Sequence, residues 1–461
     1  MNIFAKSNKN NILSNIAAVF MGTGVLLGVS GCGGGGGGGT PAPEPFITKV
    51  TDGLSGAEAD GHSLFPSISA DGRYVVFESD ASNLVSGDTN NVSDIFLRDM
   101  QTGSITRVSV DSSGAEGDGV STFSSITADG RYVAFKSLAE NLVANDGNGA
   151  ADFFRHDTQS GTTIRVSIDT SGTAGSGNGF APPSISADGR YIAFESGATD
   201  LVIGDTNGQS DIFLRDTLNN TTLRISVVSG SEPDGGSFSP VITADGNIVT
   251  FASDATNLVA NDGNAASDIF IRDIDAEITA RVSVVTGASG VEGNDRSFNP
   301  IITPDGRFVL FSSNANNFVS GGGDTNGQTD SFVRDTQNNT TTRISIDSNG
   351  GEVDSGSFAS GISADGRYTV FTSAASNLIS GGASNGLDDV YVHDAETGET
   401  IRVSVDSSGI EADGDSKANG NSLTINADGR YVVFSSKATN LLGDDTNGVS
   451  DVYRVLISKT P

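Results

Sequence analysis

The chain has 461 residues with 60 glycines, no tryptophan, and 57 acidic against 26 basic residues, a formal net charge of −31. Such a charge repels nucleic-acid phosphates and anionic bilayers, which excludes both as unaided electrostatic partners; it fits a soluble surface, cation-rich surroundings or a basic partner. The length exceeds what one ordinary core supports, so a divided or repetitive chain is expected.

Residues 1–31 read as a targeting segment. Lys6 and Lys9 give a positive start, and Ile12 to Val29 is apolar but broken by Asn15, Gly22 and Gly24. That stretch is laid out as a secretory signal and is short for a membrane span. Cys32 is the only cysteine, so no internal disulfide can form. The run Val29-Ser30-Gly31-Cys32 resembles the lipobox of bacterial lipoproteins. The resemblance implies cleavage before Cys32, a diacylglycerol on its thiol and, with Gly33 next, sorting to the outer membrane. Residues 32–45 continue with Gly33–Gly39 and Thr40-Pro41-Ala42-Pro43-Glu44-Pro45. Poly-glycine is a flexible coil and the proline-rich part a stiffer one, so this segment reads as a tether.

Residues 46–461 are organised by a repeat. Ala70-Asp71-Gly72-Arg73-Tyr74-Val75-Val76-Phe77 sets the pattern of an Asp-Gly turn followed by an apolar, β-branched run. The dipeptide returns at Asp129-Gly130, Asp188-Gly189, Asp245-Gly246, Asp305-Gly306, Asp365-Gly366 and Asp428-Gly429, at intervals of 57 to 63 residues. Asp-Gly predicts a two-residue hairpin, and a fixed period of this size predicts an array of supersecondary units. In the first repeat the predicted strands are A (67–69), B (73–79), C (94–99) and D (106–110). Four short antiparallel strands per repeat describe a propeller blade. Both faces of such a sheet pack on neighbours, which accounts for the continuous apolar run of strand B.

The seventh repeat has strands A to C, and Pro461 follows too soon for a full strand D. Thr48-Lys49-Val50-Thr51, followed by Gly56-Ala57-Glu58, aligns with Thr106-Arg107-Val108-Ser109, followed by Gly114-Ala115-Glu116. The expectation is therefore an all-β, seven-bladed β-propeller of four-stranded antiparallel blades, its ring closed by the N-terminal strand completing the last blade. This pairs an edge that would otherwise stay open.

The loop between strands B and C carries a second pattern, Asp-x-Asn-x-x-x-Asp. It occurs as Asp88/Asn90/Asp94, Asp146/Asn148/Asp152, Asp205/Asn207/Asp211, Asp262/Asn264/Asp268, Asp324/Asn326/Asp330 and Asp445/Asn447/Asp451. Oxygen ligands at this spacing suit a hard cation such as Ca²⁺, the candidate cofactor; an Asx turn with a strand-capping aspartate is the competing reading. The sixth repeat has Ala383 at the first position but keeps Asn385 and Asp389. The D–A connections add Glu58/Asp60, Glu116/Asp118, Glu232/Asp234, Glu292/Asp295, Glu352/Asp354 and Glu411/Asp413, while the third repeat has Thr173-Ala174-Gly175-Ser176-Gly177-Asn178. In a four-stranded antiparallel blade both connections emerge on one face, so these carboxylates are expected to share a rim. The recurrent strand-D cation (Lys49, Arg107, Arg165, Arg224, Arg281, Arg343, Arg402) and the strand-C Arg-Asp pairs are expected to pair across strands.

The repeat resembles the WD-repeat-like propeller units of TolB, whose turn is Ser-Pro-Asp-Gly; Thr303-Pro304-Asp305-Gly306 comes nearest. The resemblance implies the fold and leaves the role open. Catalytic motifs are scarce. His156 and His393 align with Arg98 of strand C, His62 lies in a connecting loop, and no nucleophile elbow or phosphate loop occurs. Polysaccharide lyases with TolB-like blades gather several histidines around a metal, which three dispersed histidines do not match. The sequence thus predicts a non-enzymatic, envelope-anchored scaffold for an envelope or extracellular protein or glycan, with no nucleic-acid partner. The alternative is a carbohydrate-active enzyme, a polysaccharide lyase or glycoside hydrolase.

Overall fold

The computed structural model describes residues 46–457 apart from 178, 229–231, 288–289, 320–323, 380–383, 419–422 and 444. The signal segment 1–31, the tether 32–45 and Cys32 lie outside the described residues, as does Ala383. Among the described residues no helix is long and apolar enough to cross a membrane.

The Asp-Gly turn builds each blade, though not as a two-residue hairpin. The Ser69 N–H donates to the Tyr74 carbonyl at 2.9 Å, the Tyr74 N–H returns to the Ser69 hydroxyl at 2.9 Å, and that hydroxyl donates to Asp71 at 2.6 Å. The serine side chain thus closes a wider loop over Ala70 to Arg73. Gly72 has φ +77°, and a Cβ there would fall 2.4 Å from the Tyr431 ring of the preceding blade. At Gly130 the same atom would meet Tyr74 at 2.2 Å. Glycine is required twice over, by backbone conformation and by the next blade's approach.

The first blade has strands Ser63–Ile68, Tyr74–Ser79, Asp94–Asp99 and Ile105–Arg107, hydrogen-bonded in that order. Strand C keeps its predicted bounds. Strand A starts earlier than predicted because a bulge between Leu64 and Ser67, with Phe65 at φ +50°, breaks the alternation that marks a strand. Strand D is shorter than predicted, since after Arg107 the chain bends into the D–A connection.

Seven such antiparallel sheets form. In the last, the N-terminal strand Ile47–Lys49 pairs with Asp451–Leu456, Ile47 opposite Val455 and Lys49 opposite Tyr453. The Val50 N–H extends the ladder to the Val452 carbonyl at 2.8 Å. The ring therefore closes as the sequence predicts. Strand A is innermost: the Ala427 N–H donates to the Ala70 carbonyl at 3.1 Å, joining last blade to first, and Ala70 in turn donates to Ala128 at 3.1 Å. Ala187 to Ala244, Ala244 to Pro304 and Ala364 to Ala427 repeat the link. Pro304, lacking an N–H, cannot pass it on.

Each pair of blades encloses its own core. Val75 and Phe77 pack with Tyr431 and Val433 of the preceding blade, whereas Val76 and Ile95 pack with Val133 and Phe135 of the following one. Each fully buried aromatic or branched side chain contributes about 1.5–3 kcal/mol. The aspartates that begin strand C pair with the strand-D cation, as Asp94 does with Arg107 at 3.2 Å, but those that end it do not. Asp99 accepts a bidentate pair from Arg73 of the turn, Nε at 2.9 Å and Nη2 at 2.7 Å, and Asp157 with Arg131 and Asp216 with Arg190 repeat it.

Gly72 and Gly87 separate the two glycine requirements, because Gly87 has φ +80° but open space around its missing Cβ. Gly87→Ala is expected to cost about 1–2 kcal/mol for the left-handed backbone alone. Gly72→Ala adds overpacking against Tyr431, a further ~1–3 kcal/mol. Urea unfolding midpoints of the two variants should differ in that order.

Candidate functional site

The B–C loops and D–A connections meet on one rim, as topology requires, and each strand-D cation sits at their junction. In the fourth blade Arg281 Nη1 lies 3.2 Å from Asp262, 3.0 Å from Asp268 and 2.6 Å from Glu292. Asp268 also accepts the Ser283 hydroxyl at 2.5 Å. Glu292 further accepts the Gly263 N–H at 3.1 Å. The first blade repeats this with Arg107, Asp88, Asp94 and Glu116, and the third with Arg224, Asp205, Asp211 and Glu232. In the fifth blade Arg343 contacts Asp330 and Glu352, with Asp324 close by. In the sixth Arg402 contacts Asp389 and Glu411, and in the seventh Lys49 contacts Asp451, Asp445 and Glu58. In the second, Arg165 contacts Asp146 and Asp152 alone.

The asparagines close local turns. Asn264 Oδ1 accepts the Ala266 N–H at 2.9 Å, and its amide donates to Asp268 at 3.1 Å and to the Gly293 carbonyl at 2.8 Å. Asn90, Asn148, Asn207, Asn326 and Asn447 make the same turn to the amide two residues on. The amide oxygen thus accepts one hydrogen bond in an Asx turn. Asp262/Asp268/Glu292 and Asp324/Asp330/Glu352 each bring carboxylate oxygens within 4.8 Å of one another, so they could hold a metal. In the first of these the guanidinium already stands among the oxygens. Both Asp205 oxygens and Asp262 Oδ1 are buried without a hydrogen-bond partner.

The second carboxylate of five D–A connections reaches across to the next blade, and ahead of the fifth blade Asn294 does so in place of Asp295. Asp60 accepts the Ser82 N–H at 2.7 Å and its hydroxyl at 2.7 Å; Asp118 takes the Glu140 amide at 2.8 Å, and Asp234 the Thr256 amide at 2.7 Å. Much of the acidic rim is therefore internal wiring. Charge crowding persists within it: burial, then neighbouring carboxylates, push Asp146 and Asp205 up to about 6, and burial does the same for Asp262 and Asp324.

Away from the rim, towards the Asp-Gly turns, Ile68, Ile126, Ile302 and Ile425, with Ala70 and Pro304 beside them, line an apolar pocket of about 130 Å³. No titratable side chain lines this stretch. His156 and His393 are buried within their blades, each sharing a hydrogen bond with a strand-D threonine, at 2.9 Å to Thr163 and 3.0 Å to Thr400. His62 Nδ1 accepts the Ser450 amide at 2.9 Å.

One constellation escaped the sequence reading. The strand-B residue after the recurrent phenylalanine is Glu78, Lys136 and Glu195 in the first three blades but Ala252, Ser312, Thr372 and Ser435 in the rest. Glu78 accepts the Phe123 N–H of the next blade's bulge at 3.0 Å, and burial pushes its carboxyl up to about 7. Glu195, also raised by burial, accepts the Ser210 hydroxyl at 3.0 Å and the Ser239 amide at 3.4 Å. Lys136 lies 5.7 Å from the Phe123 ring centroid and 5.8 Å from that of exposed Phe180, and burial lowers its pKa. The repeat alignment held the signal, since Phe-Glu-Ser and Phe-Lys-Ser depart from Phe-Ala-Ser and Phe-Ser-Ser.

No family model and no curated protein sequence matches the chain. Among solved structures it is similar to an oligogalacturonate lyase in complex with manganese, at 13% identity and TM-score 0.53 over 90% of this chain and 96% of that one. The oligogalacturonate lyase of Vibrio parahaemolyticus gives 11% identity and 0.53, over 90% and 97%. TolB from Acinetobacter baumannii gives 14% identity and 0.39, over 76% of this chain and 65% of that one, so the chain spans just under two thirds of that protein's length. At these identities the likeness is one of fold alone: the chain is a seven-bladed β-propeller.

Two opposed titrations set the pH response. Arg73, Arg131 and Arg190 hold Asp99, Asp157 and Asp216 well below their ordinary 3.8, so their stabilisation is present above that pH and lost as pH falls beneath it. The rim aspartates are raised to about 6, so their contribution is complete below 3.8 and lost as pH rises through about 6. Melting temperature should therefore rise to a maximum near pH 3.8 and fall from there towards pH 6. A monotonic rise from acid to neutral pH would show that the rim carboxylates are not crowded.

Proposed function

We propose that the chain is an envelope-anchored lipoprotein whose propeller binds a protein or glycan through its loop rim. The observation that supports this best is the rim itself: each loop is pinned to its own strand-D cation and most to the next blade, giving a surface ordered before any ligand arrives. Such preorganisation lowers the entropic cost of association. The apolar lining of the pocket beside the Asp-Gly turns supports binding over catalysis at that end of the molecule.

Retention of an envelope protein or glycan on the immobilised chain at physiological salt, and its loss when Asp60, Asp118 and Asp234 are changed to asparagine, is the expected outcome. Retention that ignores those changes would move the binding surface elsewhere. The anchor has its own check: labelled palmitate should enter the wild-type chain and not Cys32→Ser.

Calcium finds less support than the scaffold. Asp262, Asp268 and Glu292 have the oxygen donors to hold it, but the Arg281 guanidinium must leave first. Millimolar Ca²⁺ should barely move the wild-type melting temperature and should stabilise Arg281→Ala. A rise of several degrees in the wild type, abolished by chelator, would favour calcium-ordered loops instead.

One observation favours the enzyme reading. Glu78, Lys136 and Glu195 are titratable groups perturbed by burial, and Lys136 lies against exposed Phe180, a combination that marks acid–base sites. Turnover of an acidic oligosaccharide that Glu78→Gln and Lys136→Met both abolish would replace the scaffold reading with this one.

A further inference from the structure

The second blade lacks one part of the rim module. The six residues Val143 to Asn148 are identical in sequence to Val259 to Asn264 of the fourth blade, and Asn145 and Asn261 share φ +62°. In the fourth blade Glu292 fills the module, bonding the Gly263 N–H at 3.1 Å and Arg281 at 2.6 Å. The equivalent residue in the second blade is Ala174; the bridges Ile168–Ala174 and Val284–Glu292 fix the correspondence. Every other blade carries a glutamate there that reaches its strand-D cation.

What that glutamate would hold is left unpartnered. Among the described residues the Gly147 N–H has no acceptor, and Arg165 bonds Asp146 at 2.7 Å and Asp152 at 3.4 Å through Nη1 alone. In the first blade the corresponding Nη2 holds Glu116 at 2.8 Å. The Arg165 side chain is 9% exposed, as deeply set as Arg107, which does hold its glutamate. Gly147 and Arg165 line a cleft of about 630 Å³ that Ala174, Thr173 and Gly172 also border.

We propose that this cleft is a receptor for a carboxylate on a short unbranched arm, the glutamate side chain of a partner polypeptide. Six glutamates in the same fold show what the module accepts. They also show that one strand-D cation tolerates a third carboxylate beside two aspartates. An unbranched arm follows from the template, since Glu292 reaches its donors from the bridge position that Ala174 occupies. A charge-assisted hydrogen bond to Arg165, with a second from the Gly147 amide, is the recognition. The inference deepens the scaffold reading and rests on it only for the partner's being a protein.

The test titrates the purified full chain, labelled with ¹⁵N-glycine, with N-acetylglutamate amide, N-acetylglutamine amide and galacturonate. The glutamate compound should shift the Gly147 amide, identified by its absence in Gly147→Thr, in a saturable way. The glutamine compound should bind about tenfold or more weakly, as loss of a charged hydrogen bond implies. Ala174→Glu should fill the cleft, abolish the shift and raise the unfolding midpoint, so the test survives if Arg165→Gln fails to fold. Equal response to both amides, or an unchanged response in Ala174→Glu, overturns the proposal. Preferential shift of Gly147 by galacturonate overturns the polypeptide assignment. An envelope capture that fails leaves this titration unaffected, so the two readings fall separately.

Discussion

A cation left with only about a tenth of its surface exposed at the end of strand D cannot stay there alone. Removing a guanidinium from water costs several kcal/mol, which nearby carboxylates must offset with good geometry. Arg281 gathers one aspartate from each end of the B–C loop and a glutamate from the D–A connection. A loop of a dozen residues and a glycine-rich connection are thereby fixed to one strand. The acidic composition follows: a module that uses three carboxylates per cation, repeated around a ring, yields a strongly negative chain. High net charge is here a by-product of construction before it is a signal about partners.

The ring adds the second constraint. Each blade exposes two apolar faces, so no blade is stable without both neighbours, and seven blades suffice only if the last finds the first. Lys49 shows how the two constraints lock together. It lies on the closing strand, pairs with Asp451 at 2.8 Å and sits near Glu58 and Asp445, so the rim module of the last blade is assembled from both ends of the body. Closure is held by a strand ladder, an apolar interface and an ion cluster at once.

The architecture was legible because repetition averages out local ambiguity. A single Asp-Gly before an apolar run is weak evidence, whereas seven at a steady period specify blades, and the displaced strand specified closure. Strand A was poorly bounded because its bulge at Phe65 breaks the period of two, and a glycine-rich connection hides its start. The rim was legible as to position but not as to pairing. Which carboxylate meets which cation depends on side-chain reach across loops, and Arg73 and Arg107 look alike in sequence while one binds the strand-C aspartate and the other the loop. The Asx-turn reading accounts for where Asn264 points, which the ligand spacing did not.

Repetition also defines what counts as unusual, and the departures converge. Blade three has a strand A reduced to Ser184–Ile185 where most blades have six residues there. The connection leading into it carries Ala174 in place of glutamate and exposes Phe180. Lys136, at a position where Ser312 and Glu78 accept an N–H from the next blade's bulge, can accept nothing and lies against Phe180 instead. The other six blades keep the glutamate and five blades keep a six-residue strand A, whereas the acceptor is also missing at Ala252. Losing all three between the same two blades leaves free donors, an exposed aromatic ring and a cation in no ion pair within one stretch of chain. On a molecule whose other cations of strand D are saturated by their own carboxylates, that boundary is where the surface has most left to offer a ligand.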